Sequence, residues 1–316
     1  DSSKRRGMEC HPRGPNRFVN GNRTNLGYPQ ARFRARKHRS AQLSARKSAW
    51  LVVMRLSELQ AFVETRWPTA GKAEWDNPGL AVGHGDQEVT KCLLSVDVTP
   101  QVLQEAIDSG CQLVFSHHPL LLRGIDSVRS DRLKGYLVTT AIKHSVAIFS
   151  AHTNADFVGD GVSETLAKSL GITPDGPLAG SEGVIGTIPT TTLIEAARGF
   201  ARLIPSVAQG ILVQGDPARQ ISTVGLVAGA GDSYLSAAAE AGVDLFITSD
   251  LRHHPASDFR DQGEIGYGPA LISISHFSAE WPWLNQAAQE LRVAFPAVEF
   301  VVSELNTDPW DFVVMQ

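Results

Sequence analysis

Five residues suited to divalent metals stand where an α/β chain presents its ligands. His117 and His118 follow directly on the apolar run Cys111–Ser116, and Asp156 follows the run Val146–Ser150. His276 and Glu280 follow the run Leu271–Ser275, and a spacing of four places both on one face of a helix. Ligands of α/β sheets bind outside the carboxyl ends of the strands, where all five residues fall. Imidazole and carboxylate donors without cysteine suit Zn, Mn, Fe or Ni. Adjacent residues at a strand end point different ways, so His117 and His118 fit two neighbouring ions better than one. Glu280 as a bridge, across the ~3.5–4 Å that separates paired ions, would fit hydrolytic chemistry. Each piece alone also has a plain structural meaning. A His-His pair can belong to a surface loop, the His276/Glu280 pair to a solvated helix face, and Asp156 to the cap of a helix beginning near Gly161. Their joint position at strand ends is what favours a metal site.

The elements that must position these residues follow from hydrophobic patterning. From Met54 onward, short apolar runs alternate with amphipathic stretches, which predicts an α/β fold. Strands are expected at Lys91–Val96, Cys111–Ser116, Val146–Ser150, Ile221–Val227, Val243–Thr248 and Leu271–Ser275. Helices are expected at Leu56–Arg66, Pro100–Ser109, Leu133–His144, Gly161–Leu170, Tyr234–Ala241 and from His276. Asp76-Asn77-Pro78-Gly79 is turn chemistry. The segments AIDSGCQLVFSHHP and AAEAGVDLFITSDLRHHP share an order of helix, glycine, strand, polar loop and His-His-Pro. That echo predicts an internal duplication, with two related α/β lobes (about 54–175 and 176–316) facing a shared cleft. It also makes His253-His254 either a relic of the first pair or a surface loop. His152 is expected to support Asp156 or to pack. Gly229-x-Gly231 lacks the lysine of a P-loop and the third glycine of a dinucleotide fingerprint, so it reads as a tight strand-to-helix turn.

Composition sets the limits. Hydrophobic residues make up 42% of the 316 and charged residues 20%, which excludes a mainly disordered chain. No run reaches the ~18 apolar residues of a membrane span. Three cysteines in no paired spacing exclude a disulfide framework and point to a reducing, cytoplasmic setting. Charge is divided: residues 1–53 carry 13 Lys+Arg against 2 Asp+Glu, and residues 54–316 carry 16 against 31. The basic head reads as a disordered leader outside the fold, with a transit peptide and a functional basic arm as alternatives. The acidic body argues against nucleic-acid binding by the fold.

Asp76-Asn77-Pro78-Gly79-Leu80, Ser116-His117-His118-Pro119, Ala151-His152-Thr153-Asn154-Ala155-Asp156, Val227 to Ser233 and His276-x-x-x-Glu280-Trp281 stand in an order that resembles the NIF-three-like (NGG-one-interacting factor three) dinuclear-metal-centre family. Its bacterial members are often labelled GTP cyclohydrolase type 2 homologues. The resemblance runs from Leu56 to the C-terminus. It implies a two-lobed α/β fold assembled as a toroidal homohexamer, with two divalent ions per chain held by His117, His118, Asp156, His276 and Glu280. On that resemblance His117 and Asp156 would share one ion and His118 would take the other, with His276 and Glu280 completing or bridging. The implied function is a metal-dependent hydrolase, with Glu280 and His276 as catalytic candidates and purine-nucleotide ring opening as the reaction. The alternative is a non-catalytic metal-binding hexamer or metallochaperone. Many members have Thr-Gly-Glu where this chain has Thr248-Ser249-Asp250, a shortened carboxylate. The 263 residues from Met54 leave no room for the insert that some members carry.

Overall fold

The computed structural model describes residues 53–178, 180 and 182–315. The basic leader expected over 1–53 lies outside these residues apart from Val53. In chain order the first half runs β1 (Met54–Arg55), α1 (Leu56–Arg66), β2 (Gly79–Val82), β3 (Glu88–Val89), β4 (Lys91–Ser95), α2 (Pro100–Asp108), β5 (Leu113–Ser116), α3 (Leu133–Lys143), β6 (Ala147–Ser150), α4 (Thr153–Asp156) and α5 (Val162–Ser169). The second half runs β7 (Thr173–Leu178), β8 (Gly183–Thr192), α6 (Leu193–Phe200), β9 (Leu212–Gln214), β10 (Gln220–Ala230), α7 (Leu235–Glu240), β11 (Leu245–Ser249), α8 (His253–Glu264), β12 (Ala270–Ser273), α9 (His276–Ala294) and β13 (Glu299–Val302).

The strands build a short β1–β3 ribbon and two mixed sheets. The five-stranded sheet has the order β13-β4-β5-β6-β2, parallel except for the edge strand β2. The six-stranded sheet has the order β7-β8-β10-β11-β12-β9, and β10, β11 and β12 form its parallel centre. β13 is made by the end of the chain, yet it pairs with β4 in the first sheet. Parallel strands are buried on both faces and therefore read as continuous apolar runs. That is why β5, β6 and β11 show no exposed position.

Local chemistry sets the helix starts. Thr99 caps α2, its hydroxyl accepting from the Val102 amide at 3.2 Å, and Pro100 follows with a φ suited to the first turn. Ser275 caps α9 in the same way, accepting from the Ser278 amide. α9 joins the two sheets. Its Phe277, Trp283, Leu284 and Leu291 belong to the core over the first sheet, and its Ala279 to the core under the second. Each large side chain buried this way contributes about 2–3 kcal/mol. Trp283 packs on Trp67 at 5.4 Å between ring centres and also reaches the His117 ring at 5.1 Å. The helix that carries His276 and Glu280 is thereby held rigidly against the strands that carry the other histidines. No helix among the described residues is long and apolar enough to cross a membrane.

Candidate metal centre

The carboxyl ends of the parallel strands deliver the side chains. His117 and His118 follow β5 and His152 follows β6, while Asp250 follows β11 and His276 opens α9 after β12. Glu280 lies one turn further along α9, at the middle of the group. Its Oε1 is 2.8 Å from His276 Nε2 and 3.5 Å from His117 Nε2, and its Oε2 is 3.0 Å from His118 Nε2. Asp156, at the end of α4, approaches His117 Nε2 at 3.7 Å. All five residues singled out in the sequence are therefore brought together. Asp156 does not cap the next helix, whose N-cap is Gly161 without a side-chain hydrogen bond.

The other nitrogen of each imidazole is anchored. His117 Nδ1 meets the Ala151 carbonyl at 2.9 Å, and His118 Nδ1 meets Asp97 at 2.7 Å. His276 Nδ1 meets Asp250 at 2.7 Å, and His152 Nδ1 meets Asp76 at 2.8 Å. A carbonyl or carboxylate on Nδ1 fixes the ring and leaves Nε2 as the free donor, the arrangement found around metal-binding histidines. Buried polar atoms in folded proteins are nearly always hydrogen-bonded. Here His117 Nε2, His276 Nε2 and Glu280 Oε2 are buried without a hydrogen-bond partner, although they crowd one another. Donor atoms that converge but are misaligned for hydrogen bonds fit a shared cation. Among the described residues two groups have ligand atoms within 4.8 Å of one another: His117, His118 and His152, and His118, His276 and Glu280.

Electrostatics agree with the geometry. Burial alone would raise the Glu280 pKa, yet His276, His118 and His117 hold it well below the usual carboxylate range. Burial opposes protonation of His118 and His276, but Glu280 with Asp97 lifts His118 to about 10, and Glu280 with Asp250 lifts His276 to about 11. Burial lowers the pKa of His117, leaving it a neutral donor. Asp156 is pushed well up by burial and by the charges of Glu280 and Glu182.

Two carboxylates at the centre, Asp76 and Asp97, were hidden in the sequence. Asp76, read there as part of a turn, is only 4% exposed. Besides His152 it accepts hydrogen bonds from the amide and hydroxyl of Thr153 at 3.1 and 2.5 Å, and its pKa falls to about 2. Of the two roles expected for His152 the structure shows packing: it is held by Asp76 and lies edge-on to Trp75. Asp97 also accepts from the Thr307 hydroxyl at 2.6 Å. Asp250 has a φ of 53°, a left-handed backbone that a non-glycine residue adopts at a cost; from there its carboxylate reaches His276. Gly229, with a φ of 77°, is a wall of the centre rather than a phosphate loop. A Cβ on it would stand 2.9 Å from Glu280 Oε1 and 3.5 Å from the His276 ring. His253 and His254 lie exposed at the start of α8, edge to face with each other and outside the cluster.

Fold and site thus define an α/β protein with a His/carboxylate cluster able to hold metal ions. Residues 54–309 match the Duf34/NIF3 (NGG1p interacting factor 3) family, and the chain belongs to it. A Streptomyces coelicolor relative called "GTP cyclohydrolase 1 type 2 homolog" is 39% identical over 271 residues, covering 81% of this chain and 93% of its own length. A Clostridium perfringens relative of the same name is 33% identical and covers 82% and 100%. The crystal structure of a hypothetical protein from Staphylococcus aureus superposes with a TM-score of 0.74 at 25% identity, covering 82% of this chain and 99% of that one. A Bacillus cereus protein related to NIF3 shares the fold with a TM-score of 0.73 at 20% identity, covering 83% and 99%.

Proposed function

We propose that this chain is a metal-dependent hydrolase with two divalent ions per protomer, working as a homohexamer on a purine-nucleotide-like substrate. The observation that carries the reading is the set of imidazoles anchored through Nδ1, with unpartnered Nε2 atoms turned toward one central carboxylate. His117 with Asp156 would hold one ion and His118 with His276 the other, Glu280 spanning both; His152 is within reach of the first. Bound there, divalent ions supply Lewis acidity and an activated water at neutral pH. The chain's own residues orient the donors and balance the charge. Glu280 offsets two dications from the middle, and Asp97 and Asp250 keep His118 and His276 in the tautomer that leaves Nε2 free. His276, with its side chain 30% exposed, stands at the open edge of the cluster, so an ion it holds would be the one presented to substrate. The relatives' name supports ring opening of a purine nucleotide, and the residue echo between the halves supports two related lobes.

The test is elemental analysis of purified protein, followed by a nucleotide-hydrolysis screen with metal present and after chelation. Two ions per chain and turnover that vanishes on chelation are expected. Turnover that survives chelation would place the chemistry elsewhere. A fully metallated chain that hydrolyses no nucleotide would replace the hydrolase with a metal-carrying hexamer.

A further inference from the structure

A cavity of about 620 Å³ opens over the cluster, with His118, His152 and His276 in its floor. Two tryptophans line it, Trp75 and Trp310, each left 64% exposed. Single exposed apolar residues are common, but two indoles at one cavity are a binding feature when both are held in place. Trp75 stands edge-on against the His152 ring at 5.8 Å, and the buried carboxylate of Asp76 follows it in the chain. Trp310 donates its amide to Asp308 at 3.1 Å, and Asp308 in turn accepts from the Ser275 hydroxyl at the start of α9. Both indoles therefore sit on tethered backbone at one cavity, with most of each ring open to a ligand. Stacking of this kind tolerates any heteroaromatic base.

Charge limits what the ring can carry. Among the described residues Lys134 is the only Lys or Arg lining the cavity, and it makes no ion pair there. Asp97, Asp250 and Asp308 line the same cavity. With Asp156 and Glu280, these carboxylates offset the charge of two dications, so the loaded site holds no surplus for a polyanion. A cavity of this size encloses a nucleoside with one phosphate.

We propose that this cavity binds a planar heteroaromatic ring between Trp75 and Trp310, carrying no more than one anionic group, which Lys134 meets. This rests on the metal-centre reading for the direction the ligand faces, and it disfavours a nucleoside triphosphate as the preferred ligand.

The experiment is calorimetric binding to the full chain, metal-free and metal-loaded, with guanosine, guanosine monophosphate, guanosine triphosphate and ribose 5-phosphate. In the metal-free chain the monophosphate and triphosphate should bind within threefold of each other, and ribose 5-phosphate at least a hundredfold more weakly. Trp75→Ala and Trp310→Ala should each weaken the nucleoside about tenfold, with Trp310→Phe restoring most of it. Lys134→Ala should weaken the monophosphate about tenfold and leave guanosine unchanged. Both tryptophans are exposed, and unaltered thermal midpoints in the variants will confirm an intact fold. Triphosphate binding more than tenfold tighter than monophosphate, alanine variants that bind like the parent, or no binding of any ring would overturn the proposal. Absence of turnover leaves these binding results unchanged, so failure of the hydrolase reading is told apart from failure of this one.

Discussion

Metal uptake should release protons, and the structure sets how many. In the metal-free chain His118 and His276 have pKa values near 10 and 11, so both are imidazolium at pH 7. An imidazolium cannot coordinate, so each ion that takes their Nε2 must displace a proton. At 1.36 kcal/mol per pH unit, deprotonation at pH 7 costs about 4 kcal/mol for His118 and about 5 kcal/mol for His276. Solvent at their side chains, 26% and 30% exposed, draws both costs downward. Two displaced protons mean that apparent affinity rises about a hundredfold per pH unit between pH 7 and 9. Asp156, whose pKa is pushed well up, adds a third proton wherever it is still protonated. Calorimetric titration of metal into metal-free protein, in two buffers of different ionisation enthalpy, counts the protons directly. Stability should show the opposite trend without metal. The raised histidines stabilise the metal-free chain fully below about pH 6.5, and that contribution is lost as pH climbs through 10 to 11. Glu280, held low, contributes above about pH 4.5 and loses its effect on acidification. The metal-free midpoint should therefore fall from about pH 6.5 upward while the rise caused by added metal grows. Release of fewer than one proton, or affinity that is flat from pH 6.5 to 8.5, would refute the assignment of His118 and His276 as ligands.

Three other perturbations probe the same arrangement. His118→Ala should reduce the metal count toward one per chain and the protons released by two, since His276 then keeps its own proton, with the fold intact by circular dichroism; two ions in that variant would remove His118 from the ligand set. Asp250→Asn keeps a residue that tolerates the left-handed backbone but takes the charge from behind His276, so metal affinity by competition with a chelator should fall about 10–100-fold. An unchanged affinity would make Asp250 a bystander. A chain that starts at Met54, where the family match begins, should keep its thermal midpoint and its size on gel filtration, and a large fall in either would show that the preceding segment matters to the fold.

The buried parallel strands were legible because burial on both faces leaves an apolar run, and in β5 that run closes on Ser116 with His117 next in the chain. The i,i+4 relation of His276 and Glu280 was legible for a similarly local reason, since Ser275 marks the helix start. Asp76 and Asp97 were not legible. An aspartate at a turn or strand end looks the same in sequence whether it caps, turns the chain or anchors a histidine, and its partner is decided by which strands lie side by side. The pairing in the two sheets shows what the sequence echo missed. Asp97 follows β4 and holds His118 from the neighbouring β5; Asp250 follows β11 and holds His276 after the neighbouring β12. The same relation between adjacent parallel strands, a carboxylate at one carboxyl end anchoring a histidine from the next, thus occurs in both sheets. The echo instead aligned β5 with β11, and so set His117-His118 against His253-His254. In the second sheet β11 supplies the carboxylate and β12 the histidine, so the chemistry is shifted by one strand from the sequence match. The second His-His-Pro is carried past the strand end by Leu251 and Arg252 onto the exposed start of α8, and only Asp250 of that segment enters the centre.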